Sequence, residues 1–314
     1  MTDTVLRDTF RAMGSAVEVE VVDGTPGHLA LARDRLAFLE ACWSRFRAHS
    51  DISRLNAAQG EPVVVEQYTL DLLEAMVHGY TITDGAFDPT MLAPLVTLGY
   101  AASWHDSSAI TDLPLGVQPR GPVRGITVDA NASTARLPPG TAIDPGGIGK
   151  GMAADIVAEL LIANDAAGAM VSVGGDVRVI GEGPFGGVWL VGVDDAFLPE
   201  TEAMKVPMRS GGLGSTGALR RSWLTPEGVR AHHLLDPTHC RPLPAGFDTP
   251  VHATVLAAKA VWAEVHATMV MVLGAPNSFG RLDDIGLGAR AVYGSGQAFT
   301  NAAWDNFNPR DRAY

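Results

Sequence analysis

The segment from Asp144 to Gly151, DPGGIGKG, places four glycines and one lysine directly before a predicted helix. Glycines let the backbone approach a ligand closely, and the start of a helix presents N–H groups with a partial positive charge, so the pattern suits a phosphate group. It is not a P-loop, because Lys150 is followed by glycine rather than by the serine or threonine that binds magnesium. The fingerprint G-x-G-x-x-G is also absent from the segment. A glycine-rich turn packed against a strand is the alternative that these residues leave open.

A carboxylate and a hydroxyl lie four residues apart in the segment WAEVHATM. The apolar run from about Lys259 to Gly274 predicts a helix, on which Glu264 and Thr268 share one face. Hard oxygen ligands of this kind suit Mg²⁺, and a buried pair satisfied without a metal is the alternative. His266 lies about 200° around the helix from Glu264, at about 100° per residue, and is not expected to share their ligand.

Two histidines and an aspartate lie at the end of a predicted strand in the segment HHLLDP, residues 232–237. No Cys-x-x-Cys or His-x-x-x-His spacing supports a zinc site, so a histidine that acts in catalysis or holds a ligand is favoured. If the strand continues through the segment, His233 and Leu235 point to one face, and Leu234 and Asp236 point to the other.

The elements that would position these residues are predicted from the periodicity of the chain. Val17, Val19 and Val21 alternate with two glutamates, which is typical of a half-buried strand. Helices are predicted over about 29–47, 66–84, 152–163 and 259–274, and strands over 169–180, 187–193, 204–208, 213–223, 229–235, 252–258 and 289–293. Hairpins mixed with long helices predict an α+β fold rather than alternating βαβ units.

The composition of this chain of 314 residues limits the classes of partner that are expected, because its formal net charge is −12. Nucleic acid and anionic membrane surfaces both favour Lys and Arg, so neither is expected as the main partner. The most apolar segment, residues 253–274, is interrupted by charged residues and is predicted as a strand followed by a helix rather than as a membrane insertion. No signal peptide or lipobox precedes the first strand, and a cytoplasmic location is therefore expected.

Taken in order, these segments resemble the FAD:protein FMN transferase family, also called ApbE. The resemblance covers nearly the whole chain and is carried by the blocks MGSAVEVEV, SRFRAHSDISRLN, DGAFDPT, DPGGIGKGMAAD, SVGGDVRVIG, HHLLDP and AEVHATMVMVLG. It implies an α+β fold of antiparallel sheets with packed helices, related to the tunnelling fold. The whole chain, residues 1–314, would be one transferase unit, with two subdomains around an FAD cleft as the finer alternative.

The activity that the resemblance implies is transfer of FMN from FAD to a threonine or serine hydroxyl of an acceptor flavoprotein, with release of AMP. Mg²⁺ would bind the FAD pyrophosphate. In the family's D-x-G-G-I-A-K-G loop the residue before the lysine binds magnesium through its backbone carbonyl, which corresponds to Gly149. The family's other ligands, an Asp and a Thr, correspond to Glu264 and Thr268. The extra methylene of Glu departs from that pattern and is expected to shift or weaken the metal site.

The resemblance also assigns roles around the flavin. Phe46 stands where an aromatic residue, often Tyr, stacks on the cofactor. His233 matches a histidine implicated in catalysis, with Asp236 as the residue that would orient its ring. The positions expected to contact the cofactor are Met13, Phe46, Ala86, Phe87, Asp88, Gly146, Met152 and Leu235.

Two alternatives to transfer remain open. The same groups would serve a magnesium-dependent FAD pyrophosphatase, in which water replaces the protein hydroxyl and the products are FMN and AMP. A catalytically inactive FAD-binding protein is the other alternative, and the glutamate at position 264 is the feature that favours it.

Overall fold

The computed structural model of this protein describes residues 4–104, 106–198, 201–225 and 228–306. The chain divides into two compact units. The first contains the described residues of 1–37, 150–219 and 244–314, and the second contains those of 38–149 and 220–243. None of the helices in the described ranges is long and apolar enough to cross a membrane.

The regular elements comprise strands and helices, numbered along the chain. The strands are β1 (Val5–Ala12), β2 (Ser15–Val22), β3 (Val63–Val64), β4 (Thr127–Asp129), β5 (Thr134–Arg136), β6 (Gly168–Val173), β7 (Asp176–Gly181), β8 (Trp189–Asp194), β9 (Glu202–Met208), β10 (Gly211–Gly217), β11 (Ser222–Leu224), β12 (Arg230–His232), β13 (Leu235–Asp236), β14 (Arg241–Pro242), β15 (Pro250–Ala257), β16 (Gly288–Tyr293) and β17 (Ala298–Thr300). The α-helices are α1 (Pro26–Trp43), α2 (Asp51–Ala57), α3 (Gln67–Ile82), α4 (Leu92–Thr97), α5 (Gly149–Ala163), α6 (Ala260–Leu273), α7 (Ala275–Asp284) and α8 (Ala302–Asp305).

The first unit is built on an eight-stranded sheet with the strand order β1-β2-β6-β7-β10-β15-β16-β17. Neighbouring strands are antiparallel throughout the described part of this sheet. The predicted alternation in β2 is present only in its first half, because Val17 and Val19 are buried and Glu18 is exposed, whereas every residue from Val19 to Val22, including Glu20, is buried. Val17 and Val19 pair with valines of β6. Burial of these branched side chains on one face is what holds the strand in register.

Helix α6 lies directly on this sheet because two glycines of β10 leave room for its backbone. A Cβ atom at Gly212 would lie 2.2 Å from the amide nitrogen of Ala260, and one at Gly214 would lie 2.3 Å from the carbonyl carbon of Ala263. Distances this short exclude any side chain at either position. The close approach fixes the height of α6 above the sheet, and with it the position of Glu264.

The second unit contains helices α2, α3 and α4, a three-stranded sheet with the order β3-β5-β4, and the hairpins β11-β12 and β13-β14. One of its apolar clusters joins Met91 and Leu95 to Leu235, with Tyr100 and Trp223 packed against them. The α+β fold predicted from the sequence is confirmed, since antiparallel sheets and separate helices make up both units.

Candidate functional site

The glycine-rich segment ends in the first turn of α5. Asp144 precedes a 3₁₀ turn and accepts a hydrogen bond from Gly146 N at 2.9 Å. Helix α5 begins at Gly149, earlier than the start expected from the sequence, so Lys150 and Gly151 lie in its first turn. The first N–H groups of a helix have no acceptor within the helix. The N–H of Gly151 is therefore open to a partner from elsewhere in the chain.

That partner is Glu264, which is buried in the middle of α6. Gly151 N donates to Glu264 Oε2 at 2.8 Å. The ammonium group of Lys150 contacts Glu264 Oε1 and also Asp176 Oδ2 at the start of β7. Ser215 N donates to the other oxygen of Asp176 at 3.2 Å. Lys150, Asp176 and Glu264, together named the Lys150 cluster, therefore place one cation between two carboxylates.

The Lys150 cluster places two carboxyl groups and one ammonium group together, with little exposure to water. Burial raises the pKa of Glu264 to about 8, and the charge of Asp176 adds to the rise against the lowering effect of Lys150. Burial also raises the pKa of Asp176. For Lys150, burial acts to lower the pKa, but the two carboxylates outweigh it and the pKa is raised. Lys150 thus stays protonated, and a further positive charge would favour the ionised form of both carboxyl groups.

The residues expected to hold Mg²⁺ offer suitable oxygen atoms. Glu264 supplies a carboxylate, and Thr268, one turn later on α6, supplies a half-buried hydroxyl that donates to Glu264 O at 3.3 Å. Gly149 supplies a backbone carbonyl. In the described part of the chain, no three His, Cys, Asp or Glu side chains gather as a metal cluster. Carboxylate, hydroxyl and carbonyl oxygens are the kinds of ligand that a hard dication prefers.

A second link holds the start of α6 against α5. Asp155 of α5 accepts hydrogen bonds from Ala260 N and Val261 N, both at 2.9 Å, and so caps α6 with a side chain from another helix. Arg178 of β7 lies 3.3 Å from Asp155 Oδ1 and donates to Ala258 O at 3.0 Å. Because α6 has no capping side chain of its own, Asp155 is what satisfies its first N–H groups.

Phe46, the predicted flavin-stacking residue, is half-buried in the second unit beside a buried arginine. The guanidinium carbon of Arg45 lies 4.1 Å from the centroid of the Phe46 ring and 4.7 Å from that of Tyr100. Arg45 Nε is 3.2 Å from Asp144 Oδ2, and Arg45 Nη1 donates to the hydroxyl of Thr111 at 2.6 Å. Arg45 therefore ties the aromatic group to the start of the glycine-rich segment.

Asp88, one of the residues predicted to contact the cofactor, has hydrogen-bond donors for both of its carboxylate oxygens. Its Oδ1 accepts hydrogen bonds from the amide and the hydroxyl of Thr90 at 2.8 and 2.6 Å, and its Oδ2 accepts one from Arg120 Nε at 2.6 Å. Ala86 and Phe87, which precede it, are buried. Arg120 also donates to the hydroxyl of Tyr80 at 3.0 Å. The carboxylate of Asp88 thus holds its own loop in place.

The segment HHLLDP does not continue as one strand, contrary to the sequence expectation. Strand β12 ends at His232 and β13 begins at Leu235, because each pairs with a different partner, β11 and β14 respectively. Both oxygens of Asp236 accept hydrogen bonds from its own turn, from Thr238 N at 2.8 Å and from His239 Nδ1 at 2.5 Å. His233 is half-buried, and its orientation by Asp236 stays a prediction.

Met13 occupies an unusual backbone position in the turn between β1 and β2. Its φ is 52° and that of Gly14 is 63°, so both central residues of this two-residue hairpin are left-handed, as in a type I′ turn. Asn and Gly favour such positions, whereas a large apolar side chain is strained there. Strain of this kind is common where a side chain serves a ligand.

The predicted residues fall into two sets. Met13, Met152, Glu264 and Thr268 lie in the first unit, and Phe46, Ala86, Phe87, Asp88, Gly146, Gly149, His233, Leu235 and Asp236 lie in the second. Sequence reasoning missed Asp176 and Arg45, which contact Lys150 and Phe46 respectively. The glycine pair just before Asp176, in the block SVGGDV, is the signal for a close approach at that point. A Cβ at Gly174 would in fact lie 3.3 Å from Cδ of Lys150.

Comparison with known proteins matches the chain to a family. The model of the ApbE family matches residues 13–288. The FAD:protein FMN transferase of Vibrio cholerae is 28% identical over 236 residues, which are 74% of this chain and 69% of the relative. That of Treponema pallidum is 29% identical over 251 residues, or 75% and 68% of the two chains.

Solved structures show the same fold. The crystal structure of the ApbE protein from Thermotoga maritima has a TM-score of 0.83 at 22% identity and covers 97% of this chain and 99% of its own. The apo form of the flavinyl transferase ApbE from Pseudomonas stutzeri has a TM-score of 0.78 at 22% identity, with 98% of each chain covered.

Proposed function

Because this chain belongs to the ApbE family, we propose that it is an FAD:protein FMN transferase. The substrate is FAD, and the FMN half is transferred to a threonine or serine hydroxyl of an acceptor flavoprotein. AMP is the other product. The relatives that carry this activity in their names match about three quarters of the chain, and the family match over residues 13–288 includes the glycine-rich segment and α6.

The observation that carries the proposal is the junction between the first turn of α5 and the middle of α6. Gly151 N and the ammonium group of Lys150 both contact the carboxylate of Glu264. The helix start suits phosphate oxygens, and the carboxylate suits a cation that would accompany them. A glycine-rich turn with a purely structural role would not require two buried carboxylates around one lysine.

Glu264, Thr268 and the carbonyl of Gly149 are the groups that would hold Mg²⁺. When bound, Mg²⁺ supplies positive charge that neutralises the pyrophosphate oxygens of FAD and makes AMP a better leaving group. The chain's own part is to hold the substrate, since phosphoryl transfer depends mainly on positioning and on electrostatic stabilisation. We assign the isoalloxazine contact to Phe46, with Arg45 packed against its ring.

The transfer step forms one bond and breaks one. The hydroxyl oxygen of the acceptor residue forms a bond to the phosphorus on the FMN side of the pyrophosphate. The bond from that phosphorus to the bridging oxygen breaks, and the oxygen leaves with AMP. The proton of the hydroxyl passes to His233, whose ordinary pKa near neutrality suits a general base.

The test is incubation of the purified protein with FAD, Mg²⁺ and a candidate acceptor flavoprotein, followed by in-gel fluorescence and chromatography of nucleotides. Covalent flavin on the acceptor with one AMP per flavin is expected, and both should disappear with a chelator or when the acceptor threonine or serine is changed to alanine. AMP and free FMN without labelled acceptor would identify a pyrophosphatase instead. Absence of AMP under all conditions would identify an inactive FAD-binding protein.

A further inference from the structure

The Lys150 cluster has a feature that the proposed reaction does not explain. Its ammonium group touches the same carboxylate that is assigned to the metal, and that carboxylate is already held by Gly151 N. Asp176 and Glu264 are buried, with side-chain exposures of 0% and 3%, and Lys150 is half-buried, with 16%. A charge in so little water is poorly screened, so each charge in the cluster strongly affects the binding of another cation.

We propose that Lys150 is a resident counter-ion that competes with Mg²⁺ for Glu264, and that Asp176 sets the metal affinity by giving the ammonium group a second partner. This inference rests on the proposed function, because it takes Glu264 as a metal ligand. Lys150 and Asp176 are positioning residues and not ligands.

The contacts of each group explain the competition. An ammonium group has only donors and no lone pair, so it cannot bind a metal and can only occupy a carboxylate that would. When a dication takes an oxygen of Glu264, Lys150 can still be neutralised by Asp176, which also accepts Ser215 N. Without Asp176, Lys150 would have Glu264 as its remaining carboxylate in the cluster and would compete more strongly.

Two substitutions are expected to have opposite effects. Lys150→Met removes a positive charge and a competitor, so metal affinity is expected to rise at least tenfold. Asp176→Asn removes a negative charge and directs Lys150 to Glu264, so affinity is expected to fall at least tenfold. In the double variant the two changes offset each other, and affinity should return to within about threefold of the wild type. If Lys150 only held Glu264 in place, its substitution would weaken metal binding instead.

The probe is Mn²⁺ alone, followed by loss of the electron paramagnetic resonance signal of the free ion, with Mg²⁺ as competitor and without FAD. Lys205→Met, which removes the same charge from an exposed lysine of β9 with 57% side-chain exposure, is the control and should change affinity less than twofold. Circular dichroism and thermal unfolding report on folding. If Lys150→Met does not fold, the inference is tested by Asp176→Asn alone. That variant keeps an acceptor for Ser215 N, because the new amide oxygen can take the place of the carboxylate oxygen.

Outcomes for this inference and for the proposed function are separable. An unchanged affinity in Asp176→Asn, or a fall in Lys150→Met, overturns the inference even where the wild type transfers FMN. Opposite shifts in the two variants support it, including the case where no acceptor is ever labelled and the transferase proposal fails. Absence of metal binding in the wild type overturns the inference together with the metal part of the proposed function.

Discussion

The amide N–H of Gly151 and the carboxylate of Glu264 are joined by a hydrogen bond of 2.8 Å across 113 residues of sequence. The bond joins two helices, because Gly151 lies in the first turn of α5 and Glu264 lies on α6. An aspartate at this position would be one methylene shorter, so the contact to Gly151 gives a physical reason for glutamate in this chain.

Glu264→Gln is expected to keep the contact to Gly151 and to abolish the enhancement of FAD binding by Mg²⁺, because the amide has no charge. Glu264→Asp keeps the charge but withdraws it from Gly151 N and Lys150, so we expect partial metal dependence and a loss of about 1–3 kcal/mol in the free energy of unfolding. Calorimetric titration of FAD with and without Mg²⁺, together with urea unfolding, measures both. Full metal enhancement in Glu264→Gln would show that the carboxylate is not a ligand.

His233→Asn is expected to lower the rate of FMN transfer by at least about a hundredfold with little change in FAD affinity, as for loss of a general base. The exposed His239, which pairs with Asp236 at 2.5 Å, is the alternative candidate for the general base. His239→Asn should lower the rate less than about tenfold. Single-turnover rates over a pH series distinguish the two, and the reverse ranking would move the base to His239.

Arg45→Met is expected to lower the free energy of unfolding by about 2–3 kcal/mol, because it leaves Asp144 without its buried cation; the partial exposure of Asp144 reduces the cost below that of a fully buried pair. FAD affinity should also fall, since the ring of Phe46 loses the guanidinium packed against it. Arg47→Met is the matched control. Arg47 is exposed, and its pairing with Glu40 at 3.2 Å is expected to contribute less than about 1 kcal/mol. Equal losses in the free energy of unfolding of the two variants, measured by urea unfolding, would contradict the proposed role of Arg45.

Met13→Asn is expected to raise stability and lower FAD affinity. The substitution gives the Asn-Gly pair that type I′ turns favour and relieves a left-handed methionine, with a gain of about 1 kcal/mol. Loss of the apolar side chain should weaken FAD binding if Met13 contacts the cofactor. Thermal unfolding and FAD titration give the two values. A gain in stability without any loss of FAD affinity would remove Met13 from the cofactor site.

The sequence predicts those parts of the molecule that depend on local pattern. Helix α6 is expected from about Lys259 to Gly274 and is present as Ala260–Leu273, because an apolar run ends at a glycine with a φ of 73°. One strand is expected over 229–235, and the structure has two short strands, β12 and β13, because they pair with β11 and β14 respectively. Local strand propensity does not determine which strand a segment pairs with.

The contacts of the charged residues cannot be predicted from sequence patterns, for a related reason. Lys150 meets Asp176 and Glu264, which lie 26 and 114 residues away in the sequence. Neither spacing corresponds to a helix or strand period, so the sequence offers no register from which to infer the contact. The fold supplies the contact, because the glycines of β10 bring α6 onto the sheet and Gly151 in the first turn of α5 bonds to Glu264.

The pH dependence of stability is expected to report on His232, the neighbour of the proposed base. His232 is buried, its Nε2 donates to Leu243 O at 2.8 Å, and its Nδ1 accepts from Leu234 N at 3.3 Å, so both nitrogens are used by the neutral ring. Burial lowers the pKa of His232. In the unfolded chain the ring takes up a proton near pH 6.5, whereas the folded protein resists it.

The contribution of His232 to stability is therefore present above about pH 6.5 and is lost as the pH falls through the lowered pKa of the folded state. His232→Gln retains a donor for Leu243 O but does not titrate. Urea unfolding between pH 8 and pH 5 should show a steeper loss of stability in the wild type than in this variant, and the difference isolates His232 from the carboxyl groups, which the two proteins share. Parallel curves would mean that His232 is protonated in the folded protein as readily as in the unfolded chain.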